Sequence, residues 1–321
     1  TSHLAPRTSH LAPRTSHLAP HTSHLIFPPV TIRSTLHPHR FMLAYRHLFH
    51  AGNFADVFKH SLLTRLVLAL EKKDKPLFVL DTHAGIGRYD LTHEWALKNA
   101  EFRDGIALIW GRKDAPDEFI PYFEAIRGEN AGNALRFYPG SPRVVRRLLR
   151  PVDRMVLVEL NRKDCENLGG LFGGDRQTTV HLMDGYQSLK AFLPPKERRG
   201  LIFVDSSFDR AREFDRLTEG LVEAHRRFAT GVYAIWYPLI EPLAMRAFER
   251  GLVETGISKI LQLEISVLPV NWSGGMRGCG MLVVNPPFGF EAEARSMLKW
   301  LQPILSREAG GSQRVVWLAG E

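Results

Sequence analysis

Short apolar runs recur along the chain from residue 77 onward, and polar segments with a helical period separate them. Five runs have the length and composition of buried parallel strands: Leu77–Leu80, Met155–Val158, Val180–Met183, Leu201–Val204 and Gly231–Tyr237. Two further β runs, Ile260–Leu268 and Met281–Asn285, follow them. This alternation of strands and helices, closed by a β pair, predicts an α/β fold with a doubly wound sheet and an antiparallel last strand.

Helical segments lie before the first predicted strand and between the first and the second. Phe54 to Lys73 carries apolar residues at helical spacing. Between the first two strands, three helical patterns are broken by glycine and proline: Thr92–Asn99, Gly105–Arg112 and Glu118–Arg127. We therefore expect a helical subdomain, at about residues 90–150, inserted between the first and second strands.

The end of this insertion is strongly basic. Ser141 followed by Pro142 predicts a helix with serine as its N-cap and proline at its first position. Four arginines then follow at helical spacing: Arg143, Arg146, Arg147 and Arg150. Two interpretations of this face stay open, because arginines in such an array either contact RNA phosphates or are simply solvated.

Four acidic residues stand at the carboxyl ends of the predicted core strands, namely Asp81, Glu159, Asp184 and Asp205. Ligands of doubly wound sheets bind at this edge, so we expect these carboxylates to line one shared crevice. An acid at the position of Glu159 commonly bonds the ribose hydroxyls of a nucleoside cofactor. Asp184, which precedes Gly185, is placed to accept a bond from the exocyclic amine of the cofactor's adenine.

The spacing of Asp81, Gly85 and Gly87 is typical of the first nucleotide-binding turn of such sheets, although an ordinary strand-to-helix turn has the same spacing. The dinucleotide pattern Gly-x-Gly-x-x-Gly is not completed, because Asp90 stands at its third position. The sequence also lacks a phosphate-binding Gly-Lys-Ser/Thr. The pattern therefore favours a nucleoside cofactor without phosphates, and S-adenosylmethionine is the obvious candidate.

Composition sets broader bounds. The 321 residues carry a formal net charge of +8 and a sequence pI near 9.6, which is consistent with a nucleic-acid partner. Two cysteines, Cys165 and Cys279, are too few for a disulfide framework or a cysteine zinc site, so we predict a reducing cytoplasm and no metal. No uncharged apolar run reaches the roughly 18–20 residues that span a bilayer, so no membrane association is expected.

The first 41 residues repeat TSHLAPR with a seven-residue period. Each repeat contains a proline and a single leucine, so a coiled-coil seam cannot form and a disordered tail is predicted. Metal capture by the repeated histidines is the alternative function for this tail. We expect residues 1–41 to lie outside the domain and the domain to occupy residues 42–321.

The segment Met42–Asn53 is dense in aromatic and imidazole groups. It is either an arm packed on the domain or a lid in which Tyr45 stacks on a flat substrate and His47 bonds to it. Lys59, early in the following helix, is a solvated lysine in the simpler interpretation and a site residue in the other.

Several long motifs resemble those of the bacterial adenine-N6 methyltransferases of large-subunit ribosomal RNA, the RlmJ family. These motifs are YRH-x-FHAGN-x-ADV-x-KH at 45–60, LDTHAG-x-GRY at 80–89, YPGSP at 138–142, RRGLI at 198–202, RFATG-x-YA-x-WYP at 227–238 and NPP at 285–287. The resemblance covers residues 42–321 and none of 1–41. It implies a class I methyltransferase fold, S-adenosylmethionine as donor and one adenine of 23S ribosomal RNA as acceptor, and we expect a monomer.

Matching the motifs carries the family's site residues onto this chain. The resemblance implies these cofactor contacts: His60, His83, Ser141, Glu159, Asp184, Gly185 and Asp205. It places Tyr45, His47 and Lys59 at the substrate, and Asp205 with Phe208 at the reacting base.

One motif departs from the family. The catalytic Asp-Pro-Pro-Tyr stands here as Asp205-Ser206-Ser207-Phe208. The carboxylate and the ring are kept, so the amine can still be oriented and the extruded base can still stack. The prolines that stiffen the turn are lost, which predicts poorer positioning and a lower rate.

Two alternatives to this enzyme activity stay open. One is a catalytically impaired RNA-binding relative that retains the cofactor pocket, and Ser206 and Ser207 are the sequence support for it. A DNA adenine-N6 methylase is the other rival, although no stretch is long enough for a dedicated recognition domain. Asn285-Pro286-Pro287-Phe288 matches the general amino-methylase pattern, but it follows the last β run and is not expected to be catalytic.

Overall fold

The computed structural model describes residue 1 and residues 47–208, 212–307 and 309–320. Most of the predicted tail, and Tyr45 of the predicted arm, lie outside the described residues. The strands are β1 (Phe78–Asp81), β2 (Arg88–Asp90), β3 (Phe137–Pro139), β4 (Arg154–Glu159), β5 (Thr178–Leu182), β6 (Gly200–Val204), β7 (Val232–Leu239), β8 (Ile260–Ser266), β9 (Gly278–Val284) and β10 (Ser312–Ala319).

Eight of these strands form one sheet in the order β10-β8-β9-β7-β6-β1-β4-β5. Five neighbouring strands of this sheet are parallel, in the order β7-β6-β1-β4-β5. Strand β9 runs antiparallel to both β7 and β8. The predicted doubly wound sheet with an antiparallel end is therefore confirmed. The edge strand β10, antiparallel to β8, was not predicted. Its alternation is weak, since Val315 is its one fully buried residue.

The helices are α1 (Phe54–Glu71), α2 (Glu94–Asn99), α3 (Ile106–Ile109), α4 (Ile120–Arg127), α5 (Ser141–Leu148), α6 (Arg162–Leu171), α7 (Gly185–Phe192), α8 (Glu213–Arg227), α9 (Pro242–Glu254) and α10 (Phe290–Leu305). Short 3₁₀ turns lie at His47–Phe49, Glu101–Asp104 and Asp117–Phe119. None of the helices in the described ranges is long and apolar enough to cross a membrane.

The helices cover both faces of the sheet. Val79 of β1 points into a core shared with α1, α5 and α10, whereas Phe78 and Leu80 point into a second core shared with α7, α8 and α9. This alternation follows from the period of two along a strand. The carboxyl ends of β1, β4 and β6 are left open between the two layers, where a ligand of such a sheet binds.

The segment between β1 and β4 contains the predicted helices together with a ribbon that was not predicted. β2 and β3 pair as a two-stranded antiparallel ribbon, with Tyr89 opposite Tyr138. Each strand has only three residues, which is too short for an alternating pattern to be recognised in the sequence.

The prediction that Ser141 caps α5 is wrong. Gly140 is the N-cap, Ser141 is the first helical residue, and no side chain caps this helix end. The Ser141 hydroxyl instead donates to Oδ2 of Asp81 at 2.6 Å, because the start of α5 lies directly against the end of β1.

Candidate active site

A cavity of about 470 Å³ opens at the carboxyl ends of the central strands. A volume of this size suits a nucleoside-sized ligand. Every predicted site residue that the structure describes lines it: His47, Lys59, His60, His83, Ser141, Glu159, Asp184, Gly185, Asp205 and Phe208. Asp81 lies beneath this lining and holds Ser141. Three of the four expected carboxylates, Glu159, Asp184 and Asp205, therefore share this crevice, whereas Asp81 is buried behind it. The roles of these residues remain predictions.

Lys59 of α1 binds two carboxylates inside the cavity wall. Its Nζ lies 2.6 Å from Oδ2 of Asp205 and 2.8 Å from Oδ1 of Asp56, and its side chain is only 4% exposed. The interpretation of Lys59 as a solvated lysine is therefore wrong. Lys59 is buried because the start of α1 lies inside the domain, where nearly every residue of its first three turns is buried.

Asp56 joins the 3₁₀ turn before α1 to the lysine. Its Oδ2 accepts the backbone N–H of Gly52 at 2.8 Å and lies 3.0 Å from Nε2 of His47. Burial raises the pKa of Asp56, but the charges of His47 and Lys59 outweigh burial and hold this pKa well below its ordinary value. Asp56 is therefore an ionised acceptor that fixes both basic side chains.

His60, next to Lys59 on α1, is held as a neutral imidazole. Its Nδ1 lies 2.9 Å from the hydroxyl of Tyr138, which in turn lies 3.0 Å from the hydroxyl of Tyr122. Complete burial lowers the pKa of His60 to about 3. The ring can therefore donate or accept a hydrogen bond toward the cavity but carries no charge at neutral pH.

The loop after β1 is tied to the end of β4. Glu159 accepts the backbone N–H of Gly85 at 2.9 Å on one oxygen and that of Asn161 at 2.7 Å on the other. Burial raises the pKa of Glu159. Each carboxylate oxygen has a second lone pair, so Glu159 is held rigidly and can still accept bonds from a ligand.

A glycine is required at position 85, where φ is +60° and an added Cβ would lie 2.5 Å from the hydroxyl of Tyr89.

The carboxylate of Asp81 below this loop is buried. Burial raises the pKa of Asp81 to about 7, although the hydrogen bond from Ser141 lowers it.

Asp184 and Gly185 form the start of α7 at the opposite wall. Asp184 caps this helix by accepting the backbone N–H groups of Tyr186 and Gln187 at 2.9 and 3.2 Å. A Cβ on Gly185 would lie 2.4 Å from the carbonyl oxygen of Thr82, so only glycine permits this close approach. Burial lowers the pKa of the neighbouring His83.

The turn after β6 carries the acidic and aromatic residues of the predicted catalytic motif. Ser206 is buried, and Phe208 has a φ of 51°, in the left-handed region that is unusual for a bulky residue. The ring of Phe208 packs edge-on against Phe214 at 4.9 Å and Trp236 at 5.9 Å between centroids. Phe208 thus lines the cavity as part of an aromatic wall.

Sequence reasoning did not single out several residues that the fold brings to the cavity: Asp56, Tyr89, Glu213, Arg216 and Trp236. Asp56 had a usable signal, because it precedes Lys59 by three residues on one helix and so shares its face. Arg216 of α8 lies 3.3 Å from Asp184 and 3.2 Å from Glu213. Nothing in the sequence of α8 marks this contact with another element.

The motif that begins at Asn285 lies away from the cavity. Asn285 follows β9, which runs antiparallel to β7, so it lies at the edge of the sheet opposite to Asp205. Its side chain donates to the carbonyl oxygens of Ala229 and Gly231, both at 2.8 Å, and acts as a structural clamp.

Among the four arginines from Arg143 to Arg150, two bind carboxylates within the domain: Arg146 of α5 binds Asp175, and Arg150, just beyond the helix, binds Asp153. The interpretation of simply solvated arginines is therefore wrong for these two, and the contact of this face with RNA stays a prediction.

The sheet order and the carboxylate-lined cavity at its carboxyl edge define the class I fold of S-adenosylmethionine-dependent methyltransferases. Residues 74–319 match the family model described as "Ribosomal RNA large subunit methyltransferase D, RlmJ". The chain belongs to this RlmJ family, as the motifs predicted.

Relatives match over their whole length. Ribosomal RNA large subunit methyltransferase J of Escherichia coli (strain K12) is 42% identical over 280 residues, which are 87% of this chain and 100% of that protein. The Haemophilus influenzae protein of the same name is 41% identical over 281 residues, with the same coverage. The crystal structure of protein LPL1258 from Legionella pneumophila is 37% identical and superposes with a TM-score of 0.78, covering 84% of this chain and 98% of that one.

Proposed function

We propose that this chain transfers the methyl group of S-adenosylmethionine to N6 of one adenine in 23S ribosomal RNA. Membership of the RlmJ family supports methyl transfer to large-subunit ribosomal RNA. One observation carries the choice of chemistry: the carboxylate of Asp205 stands at the end of β6, in the middle of the sheet, and is held there by Lys59.

The residues of the cavity fit a nucleoside with a cationic sulfur better than a phosphate ligand. Carboxylates predominate among its charged groups, since Glu159, Asp164, Asp184, Asp205 and Glu213 all line it. Such a set attracts a sulfonium and repels a phosphate. In the proposed complex, Glu159 bonds the ribose hydroxyls and Asp184 the adenine amine, and His60, His83, Ser141 and Gly185 complete the site. When bound, this cofactor supplies an electrophilic methyl group.

Asp205 acts on the substrate amine. The lone pair of an adenine amine is delocalised into the ring, which makes the nitrogen a poor nucleophile. The carboxylate of Asp205 and a backbone carbonyl after it accept hydrogen bonds from the two N–H groups, favour a tetrahedral nitrogen and aim its lone pair. The carboxylate also takes up the proton that the nitrogen releases on methylation. Lys59 contributes by fixing the carboxylate at 2.6 Å, Asp56 holds Lys59 in turn, and His47 holds Asp56.

The extruded base needs an aromatic contact, and Phe208 and Trp236 offer one wall for it. We assign the other contact to Tyr45 of the arm, which lies outside the described residues. His47, two residues further along the chain, lines the cavity, and its ring lies 5.0 Å from the ring of Tyr89 between centroids.

The test uses the purified full chain, cofactor labelled in its methyl group, and 23S ribosomal RNA from cells that lack this modification. Label is expected in RNA and, after digestion, in N6-methyladenosine. An equal amount of duplex DNA serves as competitor. Label in DNA instead of RNA would favour the DNA methylase, and no label with normal cofactor binding would favour the impaired relative. We propose a monomer acting in the cytoplasm, where its RNA substrate is found, and size-exclusion chromatography checks the monomer.

A further inference from the structure

Four arginines from different elements lie beside the elements that wall the cavity, and we call this set the arginine surface. Its members are Arg88, Arg136, Arg143 and Arg147. They come from β2, from the residue before β3, and from α5. In the sequence they are up to 59 residues apart, so no single helical face predicts them.

Contacts through one loop connect these arginines. Glu129 lies between two of them, 2.6 Å from Arg143 and 3.7 Å from Arg88. Arg147 lies against the neighbouring Gly128, where an added Cβ would be 3.1 Å from its Nη1. The guanidinium carbons of Arg88 and Arg136 lie 4.7 and 4.8 Å from the ring centroid of Phe137. The charges therefore belong to one continuous surface.

The loop that carries the surface is fixed by Asn130. Its amide nitrogen donates to the carbonyl oxygens of Ile126 and Phe137, and its oxygen accepts the backbone N–H groups of Arg136 and Phe137, each at 2.8 Å. Such a loop presents its arginines with less conformational entropy left to lose on binding.

The surface keeps an excess of positive charge. The carboxylates that pair with it are Glu129, which is only 6% exposed, and Asp90. Arg88 and Arg136 remain 44% and 59% exposed. Guanidinium groups bind phosphate oxygens in a bidentate manner, so such an array suits an RNA backbone.

The surface also adjoins two elements that wall the active-site cavity, β2 and α5. Arg88 directly precedes Tyr89, and Arg143 follows Ser141 by two residues, while both Tyr89 and Ser141 line the cavity. A strand whose target base enters the cavity would therefore place its neighbouring phosphates over the arginines.

We propose that the arginine surface binds the phosphates that flank the target adenine, and so positions the RNA strand over the cavity. This inference rests on the proposed function for its substrate. It assigns the most exposed phosphate contacts to Arg88 and Arg136 at the ribbon, whose side chains are 44% and 59% exposed. Arg146 and Arg150 are only 27% and 25% exposed. Phosphate contacts of this kind position a nucleic acid and dominate its salt-dependent affinity.

The test compares full-length wild type with the double variant Arg88→Gln/Arg136→Gln. The matched control is Arg246→Gln/Arg250→Gln, which removes two exposed arginines from α9, on the opposite face of the sheet. Both double variants should melt as the wild type does, because the replaced arginines are exposed and the buried Glu129 keeps its contact with Arg143 at 2.6 Å. Equilibrium binding of a labelled 23S ribosomal RNA fragment containing the target is then measured across salt concentrations.

We expect Kd for RNA to rise about tenfold or more in the surface variant, and the slope of log Kd against log salt to decrease by about 1.4, or 0.7 for each lost phosphate contact. Cofactor affinity should not change, and in turnover KM for RNA should rise while kcat stays within about twofold.

Equal RNA affinity of the surface and control variants, or no binding by wild type, would overturn this proposal. RNA binding that depends on the surface without any methyl transfer would overturn the proposed function alone.

Discussion

Nζ of Lys59 lies 2.6 Å from Oδ2 of Asp205, across the wall of the cavity. This ion pair joins a helix that precedes the first strand to the carboxyl end of β6. The turn after Asp205 carries Ser206 and Ser207 where the resemblance implies two prolines, and the buried lysine restrains the carboxylate directly. The pair thus links the stability of α1 to the geometry of the proposed reaction.

Replacing this lysine should affect both properties. In Lys59→Met, Asp56 and Asp205 lose their shared cation, and a buried carboxylate without its partner typically costs about 3 kcal/mol or more. We expect a comparable loss in the free energy of unfolding, measured by urea titration, and a fall in kcat of roughly a hundredfold.

Lys72→Met, at the exposed end of the same helix, is the control and should change the free energy of unfolding by less than about 0.5 kcal/mol. Equal stability of the two variants would refute the structural role of Lys59.

A methyl group at Gly185 should close the cofactor site. The Cβ of Gly185→Ala would lie 2.4 Å from the carbonyl oxygen of Thr82 and 2.7 Å from the ring of His83. We therefore expect α7 to shift away from β1, with cofactor affinity in calorimetry reduced at least tenfold. Gly169→Ala on α6 is the matched control, because nothing lies within 4 Å of its added Cβ and alanine should stabilise that helix by roughly 0.5–1 kcal/mol. Unchanged cofactor affinity in Gly185→Ala would show that cofactor binding does not depend on the close approach of Gly185 to Thr82.

The buried Asp81 predicts a pH-dependent stability. Burial raises its folded pKa to about 7, against about 3.9 in an unfolded chain. Between these values the folded protein keeps a proton that the unfolded chain has lost, so this group's contribution is complete below about pH 4 and is lost as pH rises through 7. Asp81→Asn removes this titration.

The free energy of unfolding of wild type, relative to Asp81→Asn, should therefore fall by up to about 4 kcal/mol between pH 4 and pH 8. The opposite contribution of His60, whose folded pKa is about 3, is present in both proteins and cancels. Urea titrations at several pH values measure the difference. A difference that stays constant, or that grows in favour of wild type with rising pH, would contradict the assignment.

Restoring the prolines tests the turn itself. In Ser206→Pro/Ser207→Pro, the turn after Asp205 should lose conformational freedom and hold its carbonyl more rigidly. We expect kcat for ribosomal RNA to rise several-fold with unchanged cofactor affinity, measured by single-turnover methyl transfer. Activity that appears only in this double variant would identify the wild-type chain as the impaired relative. A fall in rate would mean that the serine turn has its own preferred geometry.

Much of the fold followed from the apolar pattern, because buried parallel strands are continuous apolar runs with recognisable ends. All five predicted core strands are present, and α1 begins at the predicted Phe54. The ribbon of β2 and β3 was missed because three-residue strands carry no period, and β10 because an exposed edge strand carries little hydrophobic signal. Ser141 was misassigned as a cap because a serine before proline has the same sequence signature whether it caps a helix or bonds a neighbouring strand.

The site was predictable where its residues stand at strand ends. Asp81, Glu159, Asp184 and Asp205 follow core strands, and the topology alone brings them to one edge. The burial of Lys59 was not predictable, since it depends on a carboxylate from a distant strand. The same limit applies to the arginine surface, whose members are brought together by a loop and a ribbon.

The most direct test of the central claim is single-turnover methyl transfer to unmodified 23S ribosomal RNA by wild type and Asp205→Asn, with cofactor binding measured in parallel. Asparagine keeps the shape of the side chain but replaces one accepting oxygen with a donor. The account predicts N6-methyladenosine from wild type, a rate at least about a hundredfold lower for Asp205→Asn, and a bound cofactor in both. Equal transfer rates for the two proteins, or label at a different atom, would contradict it.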